Sequence, residues 1–88
     1  IQFEFSPPSR IYLEVGKLHF FQKEYKKCIE ALETYLEKAS ENQYAFEIIG
    51  DAYVLTGKNK QGLDSYLKAY ELSSDNNRLN KKIEDLKN

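Results

Sequence analysis

The sequence predicts an all-α fold, in which two antiparallel helical hairpins are followed by a fifth helix. Apolar residues recur at intervals of three and four along five stretches of the chain, as they do in amphipathic helices and unlike the alternation of a strand. Only a few residues join one stretch to the next, which favours antiparallel neighbours. The predicted helices are residues 7–22, 24–39, 43–56, 60–73 and 77–87.

The ends of the predicted helices carry residues that favour such ends. Ser6 is the expected N-cap of the first helix, with the prolines at 7–8 in its first turn, where a missing N–H costs nothing. Asn42 precedes the third helix and residues 75–77 precede the fifth, and their short polar side chains can accept from free helix N–H groups. Gly57 is expected to take the left-handed conformation that ends the third helix.

Length and composition restrict the classes of function. The 88 residues suffice for one short domain, and a net charge of -1 provides no long-range attraction to nucleic acid or anionic lipid. No apolar run approaches the roughly 20 residues that a membrane span needs. Cys28 is the only cysteine, which excludes an internal disulfide and favours an intracellular, cytoplasmic location. Because the sequence starts at Ile1, we expect it to be a piece of a longer protein.

The sequence repeats itself at a shift of 34 residues without a gap. The first helix of each pair aligns Ile11, Tyr12, Val15, Gly16, Leu18 and His19 with Ala45, Phe46, Ile49, Gly50, Ala52 and Tyr53. The second helix of each pair aligns Cys28, Ile29, Leu32, Tyr35 and Leu36 with Gly62, Leu63, Tyr66, Ala69 and Tyr70. The register continues into the fifth helix. We therefore divide the chain into an N-terminal extension (1–8), two repeats (9–42 and 43–76) and a C-terminal capping helix (77–88).

This period, and the residues that recur with it, resemble the tetratricopeptide repeat family. The family pattern has a bulky aromatic residue, a Leu-Gly pair and a second aromatic residue, followed later by a small, an aromatic and another small residue. The second repeat matches at Phe46, Ile49, Gly50, Tyr53, Gly57, Gly62, Tyr66 and Ala69. The first repeat matches at Tyr12, Val15, Gly16, Tyr25 and Cys28, and departs from the pattern at His19, Leu32 and Tyr35. Ser40 and Ser74 replace the closing proline.

The resemblance implies an α-solenoid, in which each repeat stacks on the next, and several residues are expected to pack between its helices. Gly16 and Gly50 would let the two helices of a hairpin approach closely, because a side chain there would hold them apart. The small Cys28 and Gly62 would receive aromatic side chains of the facing helix. The expected repeat-packing residues are Tyr12, Gly16, Cys28, Phe46, Gly50, Tyr53, Gly62, Tyr66 and Ala69.

The sequence does not favour a catalytic or metal site. Zinc sites use three or four ligands, whereas His19 and Cys28 are the only soft ligands here and both fall on packed helix faces. Glu30, Glu33 and Glu37 share their helix with several lysines, which is typical of a solvated outer face. We therefore expect no enzyme activity, no cofactor, and neither a nucleic-acid nor a membrane partner.

The resemblance implies a scaffold or adaptor that binds a peptide segment or helix of a partner protein. Family members generally use the concave face, which the first helix of each hairpin forms. The residues expected on that face are Arg10, Leu13, Lys17, Phe20, Tyr44, Glu47, Asp51, Val54, Arg78 and Lys81. Of these, Lys17, Tyr44, Glu47 and Asp51 are expected to be exposed together on one concave surface. Some members clamp the acidic tails of heat-shock chaperones. At the corresponding positions Arg78 and Lys82 suit that clamp, but Leu13, Lys17 and Ile48 do not, so we do not expect that partner.

The competing interpretation is a structural end-piece or self-association module of a longer repeat protein, with no ligand of its own. Solenoid repeats contact only their neighbours, so the outer face of the first hairpin would stay apolar in the isolated chain. The candidates for that face are Phe3, Phe5, Ile11 and Leu18. A homodimer through the first hairpins is expected, unless the segment from Phe3 to Phe5 folds back over the face.

Overall fold

A computed structural model describes residues 8–39, 41–74 and 76–87, and these residues form five α-helices without a strand. In chain order the helices are α1 (Ser9–Phe21), α2 (Tyr25–Lys38), α3 (Gln43–Leu55), α4 (Asn59–Leu72) and α5 (Asn77–Lys87). The closest pairs are α1 with α2 and α3 with α4, and α2 then packs on α3 and α4 on α5. This confirms the all-α helical repeat of two stacked hairpins and a closing helix.

Two of the expected helix caps are present. The Asn42 side chain accepts from the backbone N–H of Tyr44 at 2.8 Å and of Ala45 at 3.3 Å, at the start of α3. At the start of α5, the Asn76 side chain accepts from the N–H of Leu79 at 3.1 Å. Each cap satisfies helix donors that would otherwise have no partner inside the helix.

The first helix begins later than its sequence predicts. Pro8 was expected inside the first turn, but its ψ of 144° is that of extended backbone, and it occupies the N-cap position before Ser9. Its carbonyl oxygen accepts the first helical hydrogen bond, from the N–H of Ile11 at 3.0 Å. The expected N-cap Ser6 and Pro7 lie outside the described residues, as do Phe3, Phe5 and Asp75.

The turn inside each hairpin has the same geometry in both repeats. Gly57 ends α3 with a φ of 82°, as its sequence predicts, and Lys23 occupies the equivalent left-handed position after α1 with a φ of 62°. The N–H of Lys58 donates to Tyr53 O at 2.8 Å, and that of Glu24 to His19 O at 2.9 Å. The first hairpin thus has a lysine in a left-handed conformation that its side chain disfavours.

Glycine sets the distance between the paired helices. A methyl group on Gly50 would lie 2.5 Å from Tyr66 Cε1, and one on Gly16 would lie 2.5 Å from Leu32 Cδ2. Both facing side chains are almost fully buried, at 2% and 0% exposure. The expectation that an aromatic side chain packs on Gly62 is wrong, because Gly62 faces Val54 Cγ2 and the Tyr66 ring lies over Gly50 instead.

Two clusters of buried side chains hold the layers together. The first lies where α2 meets α3 and centres on Cys28, Leu32, Tyr35, Ala45, Ile49 and Ala52, with Tyr12, Tyr25 and Tyr53 packed at its edge. The second lies where α4 meets α5 and centres on Tyr66, Ala69, Leu79 and Ile83, with Phe46 and Val54 at its edge. None of the described helices is long and apolar enough to cross a membrane.

The glycine contacts predict an order of mutational effects. Gly50→Leu should destabilise the chain by about 3 kcal/mol, because the new side chain overlaps the Tyr66 ring and the backbone of α4 must shift. Gly57→Ala should cost only about 1 kcal/mol, because the site is open and only the positive φ is disfavoured. Urea unfolding followed by circular dichroism measures both. A larger loss for Gly57→Ala than for Gly50→Leu would contradict this account of the hairpin.

Candidate functional site

The residues expected on the face of α1, α3 and α5 differ widely in exposure. Tyr44 is 55% exposed, whereas Glu47, one helical turn later, is only 6% exposed. The expected exposure of Glu47 is therefore wrong. The other exposed members are Arg10, Arg78 and Lys81, and the half-buried ones are Leu13, Lys17, Phe20, Asp51 and Val54.

Glu47 is held by two cations of α5. Arg78 donates through Nε to Glu47 Oε2 at 2.9 Å and through Nη2 to Oε1 at 3.0 Å, which makes the pair bidentate. Lys82 donates through Nζ to Glu47 Oε2 at 2.7 Å. Charge-assisted, bidentate pairs of this kind fix both distance and orientation. The carboxylate of Glu47 therefore attaches α5 to α3.

Asp51 extends the same network one turn along α3. Lys82 Nζ lies 3.1 Å from both of its carboxylate oxygens, and the hydroxyl of Tyr66 donates to it. Lys82 also lies 5.8 Å from the centre of the Tyr66 ring. Asp51 thus joins three helices, and it is half-buried where exposure was expected.

The network changes the ionisation of its members. Hydrogen bonds from Arg78, and then Lys82, lower the pKa of Glu47 from 4.5 to about 2, against the opposing effect of burial. Burial, followed by the hydrogen bond to Asp51, raises the pKa of the Tyr66 hydroxyl far above its usual range. At neutral pH Glu47 is therefore ionised and Tyr66 is a neutral phenol.

The apolar members of the predicted face are used inside the repeats. Phe20 packs edge-on against Tyr25 of the same hairpin, with ring centres 5.5 Å apart. Val54 fills the space above Gly62. The exposed part of the face is therefore built around Tyr44, with Arg10 and Arg78 at the equivalent positions of α1 and α5.

A second surface lies on α1, at the end of the array. Ile11, Val15 and Leu18 are 43%, 36% and 54% exposed and share one side of that helix. The equivalent residues of α3 are covered by α2, which leaves Ala45 and Ala52 at 0% and Ile49 at 4% exposure. The equivalent residues of α5 are Leu79, Ile83 and Leu86, and they pack in the second cluster beside α4. These three positions are thus covered on α3 and α5, each of which follows the second helix of a hairpin, and they are exposed on α1.

The single cysteine has no features of a reactive thiol. Cys28 is fully buried, and burial raises its pKa to about 11. Within residues 8–39, 41–74 and 76–87, no group of three histidine, cysteine or carboxylate side chains is placed to hold a metal ion.

The predicted face omitted one member of the ion network, Lys82. A signal for it is present in the sequence, because Glu47 and Asp51 are four residues apart on α3, as Arg78 and Lys82 are on α5. Two acidic residues on α3 and two basic residues at the same spacing on α5 indicate ion pairs between these two helices. The 34-residue alignment hides this signal, because it aligns Glu47 with Lys81, between the two basic residues.

Comparison with known proteins gives one informative similarity. The chain is 37% identical over 75 residues to the TPR repeat-containing protein MJ1428 of Methanocaldococcus jannaschii. The match covers 80% of this chain, which spans only 12% of that relative's length. No family model matches the chain. The similarity agrees with the tetratricopeptide-like character of the two helical hairpins.

The low pKa of Glu47 predicts a specific acid sensitivity. Because the folded pKa of about 2 lies below the ordinary 4.5, the stabilisation is complete above about pH 4.5 and is lost as the pH falls towards 2. The difference corresponds to about 3 kcal/mol of folding free energy. Glu47→Gln should therefore lower stability at neutral pH and flatten its decline below pH 4.5. Urea unfolding across this pH range measures both effects.

Glu14→Gln is the matched control, because Glu14 is 70% exposed and its contact with Lys17 is 3.6 Å long. That variant should retain the pH dependence of the unmodified chain. An unchanged pH profile in Glu47→Gln would show that the pair with Arg78 and Lys82 does not attach α5.

Proposed function

We propose that the chain is a tetratricopeptide repeat module of two repeats and a capping helix, and that it binds a segment of a partner protein. The proposed site is the face of α1, α3 and α5, and the role is that of a non-catalytic scaffold or adaptor. The similarity to a TPR repeat-containing protein and the all-α hairpins support the repeat assignment. The observation that carries the site is Tyr44, a large aromatic side chain that is 55% exposed on the middle helix.

The charges left free on this face indicate the chemistry of the segment. Glu47 and Asp51 are already paired with α5, so they offer little charge to a partner. Arg10 and Lys81 are exposed, and neither forms an ion pair with the other described residues. Aromatic and arginine side chains supply much of the energy of protein interfaces. A segment with an apolar side chain over Tyr44 and a carboxylate nearby fits this arrangement.

Because of this arrangement, the face differs from the clamp with which some family members bind acidic chaperone tails. Of the positions that correspond to such a clamp, Arg78 and Lys82 alone have suitable side chains, and both are held by Glu47. A partner carboxylate would have to displace a bidentate pair that attaches α5 to α3. The partner segment is therefore expected to contact Arg10 and Lys81 in preference to these two cations.

A second candidate function is stacking or self-association through α1. The exposure of Ile11, Val15 and Leu18 favours it, because the equivalent side chains on α3 are covered by a preceding helix. The surface would accept an amphipathic helix of the α2 type, from a neighbouring repeat or a second copy of the chain. Burial of apolar area would drive that contact, whatever the exposed face of α3 binds.

The first function predicts that binding depends on Tyr44. Peptides selected from a displayed library on the immobilised chain should lose affinity about tenfold with Tyr44→Ala, since an aromatic anchor is removed. Arg10→Glu should weaken those peptides that carry a carboxylate. Tyr70→Ala is the control, because Tyr70 is 37% exposed on α4, away from this face. Fluorescence polarisation measures affinity, and thermal melts should show that all variants fold. Equal losses for the two tyrosine variants would place binding elsewhere.

The second function predicts an association that depends on Leu18. Sedimentation of the chain at increasing concentration should show a dimer, and Leu18→Lys should abolish it, because the charge would be buried at the contact. Leu55→Lys is the control, since Leu55 is 57% exposed at the end of α3 and lies outside the α1 surface. A monomer at every concentration, or equal effects of the two lysines, would contradict self-association through α1.

A further inference from the structure

A groove on the other side of α3 separates α2 from α4. It encloses about 540 Å³, and its floor is formed by Phe46, Ile49 and Tyr53 of α3. Residues on one side of a helix recur every three or four positions, so this floor points away from the side that carries Glu47 and Asp51. The groove is therefore separate from the face proposed above, and the inference drawn from it does not rest on that proposal.

The rim of the groove is acidic. Glu33 and Glu37 of α2 line one wall and Asp64 of α4 lines the other, all three with exposed side chains. Among the described residues, none of these carboxylates forms an ion pair with a lysine or arginine. The charge of Glu33 also contributes, after burial, to a raised pKa of Tyr53, so it acts on the groove floor. The rim thus offers three carboxylates around an aromatic floor.

A lysine of the chain itself already places its ammonium group over the aromatic floor of the groove. Lys68 of α4 lines the same groove, and its ammonium nitrogen lies 5.8 Å from the centre of the Phe46 ring. A cation over the face of a ring is attracted by the negative charge density there. A guanidinium group of a partner would gain the same contact and would also reach the rim carboxylates, where bidentate pairing is available to it.

Tyr53 also lines a second cavity, in which two lysines provide positive charge. This cavity encloses about 340 Å³ and is lined by Tyr53, Ile29 and Glu30 together with Lys26 and Lys58. Along α2, Lys26 lies about 10–16 Å from Glu33 and Glu37, at 1.5 Å per residue. Four residues of extended chain span about 13 Å. The distance between the acidic groove and the two lysines therefore matches the distance between a basic and an acidic side chain four residues apart in an extended partner segment.

The geometry points to this groove as a docking site for an extended segment of a partner protein that carries an arginine and, four residues away, a carboxylate. The arginine enters between Glu33, Glu37 and Asp64 and stacks on Phe46. The carboxylate lies between Lys26 and Lys58, and an apolar side chain halfway between them covers Tyr53. Residues two apart in an extended chain lie on the same side, so all three side chains face α3.

A synthetic peptide tests this site directly. The probe is a fluorescein-labelled peptide with the core Arg-Thr-Val-Thr-Glu, in which the β-branched residues favour an extended chain. Its binding to the full chain is followed by fluorescence polarisation and by amide chemical shifts. We expect saturable binding, with the largest shifts at Tyr53, Ser65 and Lys68. Absence of binding, or shifts confined to Tyr44 and α5, would overturn the proposal.

Matched charge reversals separate local pairing from overall charge. The variant with Glu33→Lys and Glu37→Lys should weaken the peptide by about tenfold, by loss of the pairs and added repulsion. The variant with Glu14→Lys and Glu84→Lys changes the net charge equally at exposed sites outside the groove and should stay within about twofold. Equal weakening by both variants would show long-range attraction only and would overturn the site. Unchanged melting curves verify that each variant is folded.

Lys68→Ala supplies a test with the opposite sign. Because Lys68 occupies the position over Phe46 that the peptide arginine needs, its removal should strengthen binding several-fold. Weaker binding would contradict the competition. The free chain is also titrated alone, since shifts in the groove on raising its own concentration would mean that a second copy occupies it and would overturn the peptide assignment.

Discussion

The contact of the Tyr66 ring with Gly50 is the constraint on which the second hairpin depends. A side chain at Gly50 would overlap that ring, and the same hypothetical methyl group would lie 3.1 Å from the carbonyl oxygen of Gly62. The close approach of α3 and α4 places the Tyr66 hydroxyl where it donates to Asp51. Asp51 in turn helps to hold Lys82 of α5. Two glycines on facing helices thus determine, through one tyrosine, how the closing helix is attached.

The contact between α1 and α3 and the equivalent contact between α3 and α5 depend on different interactions. Between α3 and α5 the contact is ionic, through Glu47 and its two cations. The equivalent positions at α1 and α3 are Leu13, Tyr44 and Ile48, and Leu13 and Ile48 pack with the first cluster. An apolar contact tolerates changes in pH and salt, whereas the ionic one weakens in acid. Of these two contacts, the attachment of α5 to α3 is therefore the one that responds to pH and salt.

The helices and their order follow from the sequence because they depend on local signals. The period of apolar residues, Asn42 as a cap and Gly57 as a terminator each act within a few positions, and all three agree with the structure. The left-handed Lys23 has no such local signal, and it is explained only by its equivalence to Gly57 in the second hairpin. The late start of α1 has a local cause, because Pro8 takes extended backbone and acts as the boundary.

The candidate surfaces are less predictable, because they depend on contacts between helices. The 34-residue alignment places Glu47 level with Lys81, and from that alignment Glu47 was expected to be exposed. In the structure, Glu47 of α3 instead binds two residues of α5, Arg78 and Lys82, which lie before and after Lys81 in the sequence. Glu33 and Glu37 are exposed, as expected, but the sequence does not show which surface they form. They have the pattern of a solvated face, yet the gap between α2 and α4 makes them the wall of a groove.

The central helix α3 contributes to both proposed binding surfaces, and this arrangement is consistent with a scaffold. Tyr44 is exposed on one side, and Phe46, Ile49 and Tyr53 form the floor of the groove on the other. The sides differ in charge, since Arg10 and Lys81 form no ion pair with the other described residues on the first, and Glu33, Glu37 and Asp64 line the second. On the first side Glu47 and Asp51 are paired with α5, so neither carboxylate is left to pair with the arginine of the segment proposed for the groove. The glycine contacts bring α3 and α4 close together, and the two proposed surfaces share no side chain, because Tyr44 lies on one side of α3 and the groove floor on the other.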